Sequence, residues 1–430
     1  MYEKGEFMQY VQQKRWEKGL SRFKTFLFTI VLLMFFSASY AFNPDPPSQP
    51  VRLIFIHHST GEHWLDDYNG GLGIALRDNN YYVSDTNYYW GPTYTDNSTS
   101  IGDHTDIGNW WEWFRGPNSS AYLNALYNEG DQHSSYSRLS TAPTGENEVI
   151  MFKSCFPNSA LQGNPNDSVP PIDSNLLRGE GSGSEYHTVA NAKGIYIDLL
   201  RYFRIRQDKL FIVIAAPPLM ASDTNTTQAA NARTFNNWLV NQWLAGYPYK
   251  NVSVFDFYNV LTSNGGNADT NDAGSETGNH HRWWSGAIQH IQTVNYDMAA
   301  YPTGDSHPSQ AGNLKATGEF LSLLNITYHL WKGQPSGEII YVSLYGTCNN
   351  NTPCFNSIQS GINAAGTVTR IRVTQETYIE SVILDSPKEV TFEGGWDLTF
   401  TTIQSNTTIN GSLTITNGKL ILDAGCLIVE

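Results

Sequence analysis

The chain has 430 residues, with 26 Lys and Arg against 40 Asp and Glu, for a formal net charge of −14. Such a surface repels phosphate backbones and argues against nucleic-acid binding. Charged side chains are only 15% of the residues and the 4 cysteines are too few for a disulfide-built scaffold, so the surface expected is the polar, uncharged one of an exported protein with its own apolar core.

Residues 1–41 read as a targeting segment. Lys14, Arg15, Lys18, Arg22 and Lys24 precede the apolar stretch Phe26 to Phe36, and Ser39-Tyr40-Ala41 has the small-residue spacing of a signal-peptidase site. The apolar stretch is about half the roughly 20 residues that a bilayer requires, so cleavage is expected rather than anchoring, with no stable membrane span afterwards. The leader holds six basic and three acidic residues, which leaves 20 basic against 37 acidic side chains in the remainder.

Beyond the leader, apolar runs alternate with helical patterns. Strands are expected at Leu53 to His57, Val149 to Lys153, Leu210 to Ala215 and Val252 to Phe255; continuous apolar runs of this kind belong to parallel sheets covered on both faces. Helices are expected at Trp110 to Glu129, Val189 to Phe203, Ala229 to Leu244 and Gln310 to Leu330. The stretches Asp85 to Gly108 and Thr262 to His281 are long for simple connections and are expected to shape a binding surface. Residues 48–332 therefore read as one α/β domain with a mostly parallel sheet.

After Lys332-Gly333-Gln334-Pro335 the pattern changes to short β-branched runs separated by turns: Arg370 to Val373, Ser381 to Leu384, Val390 to Phe392, Thr407 to Ile409, Ser412 to Ile415 and Lys419 to Leu422. Residues 338–430 are expected to form a small β-rich domain, either a β-solenoid or a compact sandwich. Cys348 and Cys354 bracket a short Asn-rich loop and are expected to bridge, leaving Cys155 and Cys426 unpaired. Cys155 reads as a buried small hydrophobe or, less simply, as a catalytic thiol.

The chemistry concentrates at two places. His58-Ser59-Thr60-Gly61 directly follows the first strand, where a turn presents a serine with little conformational freedom. Gly304-Asp305-Ser306-His307-Pro308-Ser309 offers an acid and an imidazole just before the last helix. In an open parallel sheet, ligands sit beyond the carboxyl ends of the strands, and Ser59, Asn158 and His307 would all converge there. Ser59 as nucleophile, His307 as general base, Asp305 as its orienting acid, and the Ser59 backbone N–H with the Asn158 amide as oxyanion donors make a consistent set. Each residue also has a plain structural reading: Ser59 as a helix cap, Asp305 as a turn cap, Asn158 as an Asx turn.

These blocks resemble the SGNH (GDSL-like) hydrolases: Phe55-Ile56-His57-His58-Ser59-Thr60-Gly61 the first block, Phe156-Pro157-Asn158-Ser159 the asparagine block, and Asp305-Ser306-His307-Pro308-Ser309 the last. The resemblance spans about residues 50–330. It implies a flavodoxin-like three-layer α/β/α fold, a serine esterase mechanism without cofactor or metal, and a glycine in the oxyanion hole, for which Gly71, Gly91, Gly102 and Gly108 are candidates. The chain departs from the family pattern in having His57-His58-Ser59 in place of Gly-Asp-Ser, and Asp-x-His in place of Asp-x-x-His. Gly346-Thr347-Cys348, Ile358-Gln359-Ser360-Gly361 and Thr377-Tyr378-Ile379 resemble the start of a secreted right-handed parallel β-helix, which implies an accessory module.

The substrate expected is an acylated carbohydrate, acetyl among the acyl groups, or another small ester, with a cell-surface glycan as a further partner. The alternative is a non-catalytic carbohydrate-binding or cell-surface protein on the same scaffold. Trp110, Trp111 and Trp113, with Tyr88, Tyr89 and Trp90, offer flat rings for sugar faces, although tryptophans three apart on a helix also point into cores.

Overall fold

Val51–Ile56 (β1) is buried along its whole length, and its side chains leave the strand alternately toward two different cores. Ile54 and Ile56 enter a core shared with Trp110, Phe114, Leu199 and Phe235, whereas Leu53 and Phe55 enter one shared with Trp64, Leu72 and Phe320. Helices therefore cover both faces of the sheet. The computed structural model describes residues 42–92, 100–265, 271–332, 338–366 and 368–430. The segment expected to be a leader, 1–41, lies outside the described residues, as do parts of the two long loops.

The remaining strands of this sheet are Tyr81–Thr86 (β2), Val149–Lys153 (β3), Leu210–Ile214 (β4) and Val252–Phe255 (β5), in the order β2-β1-β3-β4-β5, every pair parallel. Three of the expected strands match within a residue, and the first begins two residues earlier. Strand β2 has no counterpart in the sequence reading, because Ser84, Asp85 and Thr86 look like loop residues yet are fully buried.

The expected helix at 110–129 is two helices, Trp110–Phe114 and Ser119–Asn128, separated at Gly116-Pro117, where proline cannot continue the helix interior. Val189–Ile205, Thr226–Asn241 and Gln310–Lys332 agree with expectation to within three residues at each end. Short helices at Thr60–Leu65 and Leu72–Asp78 follow β1, and an antiparallel hairpin, Asn279–Trp284 (β6) with Ala287–Gln292 (β7), turns at Ser285 and Gly286, both at positive φ. Among the described residues no helix is long and apolar enough to cross a membrane.

Residues 338–430 stack parallel strands. Glu338–Val342 (β8), Cys354–Phe355 (β9), Val368–Thr374 (β10), Thr377–Tyr378 (β11), Val382–Trp396 (β12), Asn406–Ile409 (β13), Leu413–Ala424 (β14) and Cys426–Val429 (β15) form two sheets, β14-β12-β10-β8-β9 and β11-β13-β15, all parallel. Ile340, Ile371, Phe392 and Leu422 stand in one rung across four parallel strands. Long strands β12 and β14 each join two of the expected runs. Cys348 and Cys354 are bridged, and Cys155 is free and buried, as the small-hydrophobe reading expects.

Residues 43–430 form one compact unit with separate cores for the two regions. The joint between the regions includes a polar cluster beside apolar packing of Ile205 near Trp396 and Phe400. The Arg372 guanidinium donates to the Ile205 carbonyl at 2.8 Å, Arg370 lies over the Tyr249 ring, and the fully buried Glu393 pairs with both arginines at 2.9 and 3.0 Å.

Candidate functional site

The chain leaves β1 through His57 and His58, and reverses at Ser59 to start a helix at Thr60. This reversal puts Ser59 at φ 48°, a left-handed conformation that a residue with a Cβ adopts only at a cost of about 1–3 kcal/mol. The next turn requires a glycine: a Cβ on Gly61 would lie 2.5 Å from the Cβ of His57. Ser59 stands at the helix N-cap position, but its hydroxyl makes no capping bond. It lies 2.6 Å from His307 Nε2 instead.

His307 sits in a turn that is tied down on several sides. The Asp305 carboxylate accepts the His307 backbone N–H at 2.9 Å through one oxygen and pairs with Nδ1 at 3.0 Å through the other. The turn-cap role and the imidazole-orienting role thus belong to the same side chain, and the Asp-x-His spacing suffices for both. These contacts, led by the backbone N–H, hold the Asp305 carboxyl down at about 2 although its side chain is 60% exposed. The buried Ser306 hydroxyl donates to Asp223 at 2.7 Å and accepts the Met220 N–H at 3.0 Å, which fixes the loop to the segment after β4. Phe156 meets the His307 ring edge-on at 4.8 Å, and His63 lies 5.3 Å away.

Asn158, 1% exposed, joins this edge of the sheet from the segment after β3. Its amide donates to Asp106 Oδ1 at 2.5 Å and to the Cys155 carbonyl at 3.2 Å, while its Oδ1 accepts the Ile107 N–H at 2.8 Å. Both amide hydrogens are therefore engaged within the protein. Asp106 also accepts the Ser182 N–H at 2.7 Å, so Asn158 and Asp106 clamp three segments together. Of the four candidate glycines, Gly108 lies in the segment bound to Asn158. A Cβ there would meet the Leu177 and Glu180 carbonyl oxygens at 2.1 and 2.3 Å, so only glycine fits. Gly71, Gly91 and Gly102 pack against Leu314, Ile101 and Asn87 respectively.

A buried polar layer lies behind the serine. His57 Nε2 is 3.2 Å from Asp85, whose other oxygen accepts the His133 N–H at 2.7 Å and the Tyr136 hydroxyl at 2.9 Å. Burial depresses the His57 pKa and the partners depress that of Asp85, which corresponds to a neutral imidazole donating to a carboxylate. Burial together with the nearby Lys153 brings His58 down to about 4. Cys155 Sγ contacts the Thr60 hydroxyl at 3.0 Å, which occupies the thiol in packing.

Asp106, Asp85 and Gly108 were not singled out as the partners they are. The only sequence signal for the two carboxylates was their place in the long loop, since each acts through a residue 28 or more positions away. The tryptophans follow the packing alternative. Trp110 and Trp113 are fully buried, with their indole N–H groups bonded to Ser154 and the His104 carbonyl, and Arg178 lies over Trp111; packing, not sugar contact, explains this helix. Trp90 is buried too, whereas Tyr88, Tyr89 and Tyr68 are exposed. His280, His281 and His290 tie the hairpin to Glu319 and Asp256, and among the described residues no group of side chains is arranged to hold a metal ion.

No family model, no curated protein and no solved structure matches this chain.

Proposed function

We propose that this protein is an esterase that uses Ser59 as nucleophile, His307 as general base and then acid, and Asp305 to hold the imidazole tautomer. The observation that carries the reading is the relay from Ser59 Oγ through His307, 2.6 Å on one side and 3.0 Å to Asp305 on the other, built on a strained turn at the carboxyl edge of a parallel sheet. In acylation, Ser59 Oγ attacks the ester carbonyl while its proton passes to His307 Nε2. That proton then leaves with the alcohol, and water reverses the sequence to release the acid. The backbone N–H groups of Ser59 and Gly108 are the proposed main-chain donors to the oxyanion, with Asn158 holding the Gly108 segment in place.

The strand order β2-β1-β3-β4-β5 is that of flavodoxin-like sheets and supports a three-layer SGNH-type scaffold. The parallel rungs of residues 338–430 support a short β-helix-like accessory module. Tyr68 and Tyr89, each 88% exposed, favour an acylated carbohydrate as substrate of an exported enzyme, because flat amphipathic rings cover sugar faces. The same tyrosines would serve the competing reading of a carbohydrate-binding protein without turnover.

The purified protein is expected to hydrolyse p-nitrophenyl acetate and to release acetate from an acetylated oligosaccharide, with both activities absent from Ser59→Ala. Equal turnover by the variant would remove Ser59 from the mechanism. Glycan binding without any ester hydrolysis would favour the competing reading.

A further inference from the structure

The Asn158 amide spends both hydrogens on Asp106 and the Cys155 carbonyl, which leaves the proposed reaction short of a side-chain donor for the oxygen that becomes negative. One phenol stands at the serine. Tyr88 stacks on the ring of His58, the residue before the proposed nucleophile, with centroids 4.7 Å apart and planes 21° from parallel, which sets its phenol beside the serine turn. No motif in the sequence reading assigned Tyr88 a part in the chemistry.

The segment that carries Tyr88 is rigidly held. Asn87, just past β2, accepts the Tyr88 N–H at 2.9 Å through its side chain and donates to Glu62, the His133 carbonyl and Ser134. The Trp90 N–H returns to the Asn87 carbonyl at 3.1 Å, and the Trp90 indole N–H is held by Glu129 at 2.6 Å. Between them Tyr89 adopts φ 67° with its N–H on Asp103, a conformation that costs energy and that the surrounding bonds enforce. A loop clamped at both ends and strained in the middle is a means of fixing the ring of Tyr88 against His58, beside the serine. The ring itself is 46% exposed, so substrate can reach it. Burial of the hydroxyl raises its pKa, which keeps the phenol protonated and able to donate.

We propose that Tyr88 is a catalytic residue of this site, donating a hydrogen bond from its hydroxyl to the carbonyl oxygen of the ester as Ser59 attacks. As the Ser59 Oγ–carbon bond forms, the carbonyl π pair moves onto oxygen, the serine proton goes to His307, and the Tyr88 proton stays on its own oxygen while stabilising the new charge. When the intermediate collapses, the pair returns to the carbonyl, the alcohol leaves with the proton from His307, and Tyr88 is unchanged. This rests on the esterase reading, and it assigns to Tyr88 the donor role that the sequence alone suggested for Asn158.

The test compares wild type, Ser59→Ala, Tyr88→Phe and Asn158→Ala, using p-nitrophenyl acetate as substrate and an alkyl boronic acid as tetrahedral mimic. Tyr88→Phe removes the hydroxyl and keeps the ring that stacks on His58. Its kcat is expected to fall about 10²-fold, the scale for losing one oxyanion donor, with KM within threefold of wild type, an unchanged melting temperature and a parallel loss of boronate affinity. Asn158→Ala is expected to lower the melting temperature as well as the rate, because it opens the clamp to Asp106 and Ile107. An unchanged kcat in Tyr88→Phe, or a change confined to KM, would overturn the assignment while leaving the esterase reading intact. Activity in Ser59→Ala would overturn the esterase reading itself.

Discussion

The main sheets of the two regions both pair their strands in parallel, yet they use the arrangement differently. In the first, β1 is buried at every position because helices cover both faces of the sheet. In the second, the first half of β12 alternates buried and exposed residues, because one face of the sheet packs on an apolar core and the other meets water. An open sheet covered by helices has a free edge at the strand ends, where side chains from distant segments can meet, and Ser59, His307 and Asn158 meet there. In the second region the fully buried Glu393 pairs with Arg370 and Arg372 instead. In the esterase reading, the chemistry belongs to the first region alone.

Substitutions should separate the two regions. His307→Ala is expected to reduce ester turnover at least about 10³-fold without lowering the melting temperature, since its ring is held from outside the cores. A melting temperature that falls with the activity would mean that the loop braces the fold. Glu393→Ala acts on the other region: it leaves two guanidinium groups at the joint without their carboxylate, and is expected to cost about 3–5 kcal/mol in urea unfolding while turnover per folded molecule is unchanged. A loss of turnover there would show that the stack shapes the active site.

Asp305→Ala should have a smaller effect on kcat than His307→Ala, about 10²-fold, because water can replace part of the contact that an exposed carboxylate makes with the imidazole. A reduction equal to that of His307→Ala would mean that the tautomer depends wholly on Asp305. A further expectation concerns the pH dependence of stability. His58 and His281 are depressed to about 4 and 3, and burial also lowers His57 and His187. All four stay neutral in the fold but gain protons in the unfolded chain below about 6.5, so their contribution is complete above 6.5 and is lost as pH falls toward 3–4. Urea midpoints measured between pH 8 and 4 should decline below 6.5; a flat profile would mean that these histidines can protonate in place.

What could be read in the sequence follows from what needs only local information. Strands β1, β3, β4 and β5 are legible because burial on both faces makes each a continuous apolar run. Strand β2 is not, because Ser84 and Asp85 are buried by virtue of partners as distant as Glu129, His133 and Tyr136. The hairpin is hidden for the same reason, since its buried histidines are satisfied by Glu319 and Asp256. At the site, Ser59, Asp305 and His307 were legible because a strand end and a pre-helix turn frame them. The partners of Asn158 were not, because Asp106 approaches from 52 residues away, and a side chain's free hydrogens cannot be counted before its neighbours are known.

The left-handed backbone of Ser59 also bears on how this protein can change over time. Glycine adopts φ 48° without penalty, so Ser59→Gly should leave a chain that is dead as an esterase yet about 1 kcal/mol more stable than wild type, unless the lost hydroxyl contact offsets the relief. The position therefore sits on a slope along which random drift favours the inert protein. In the proposed mechanism, the hydroxyl is what sets serine apart from glycine at this position.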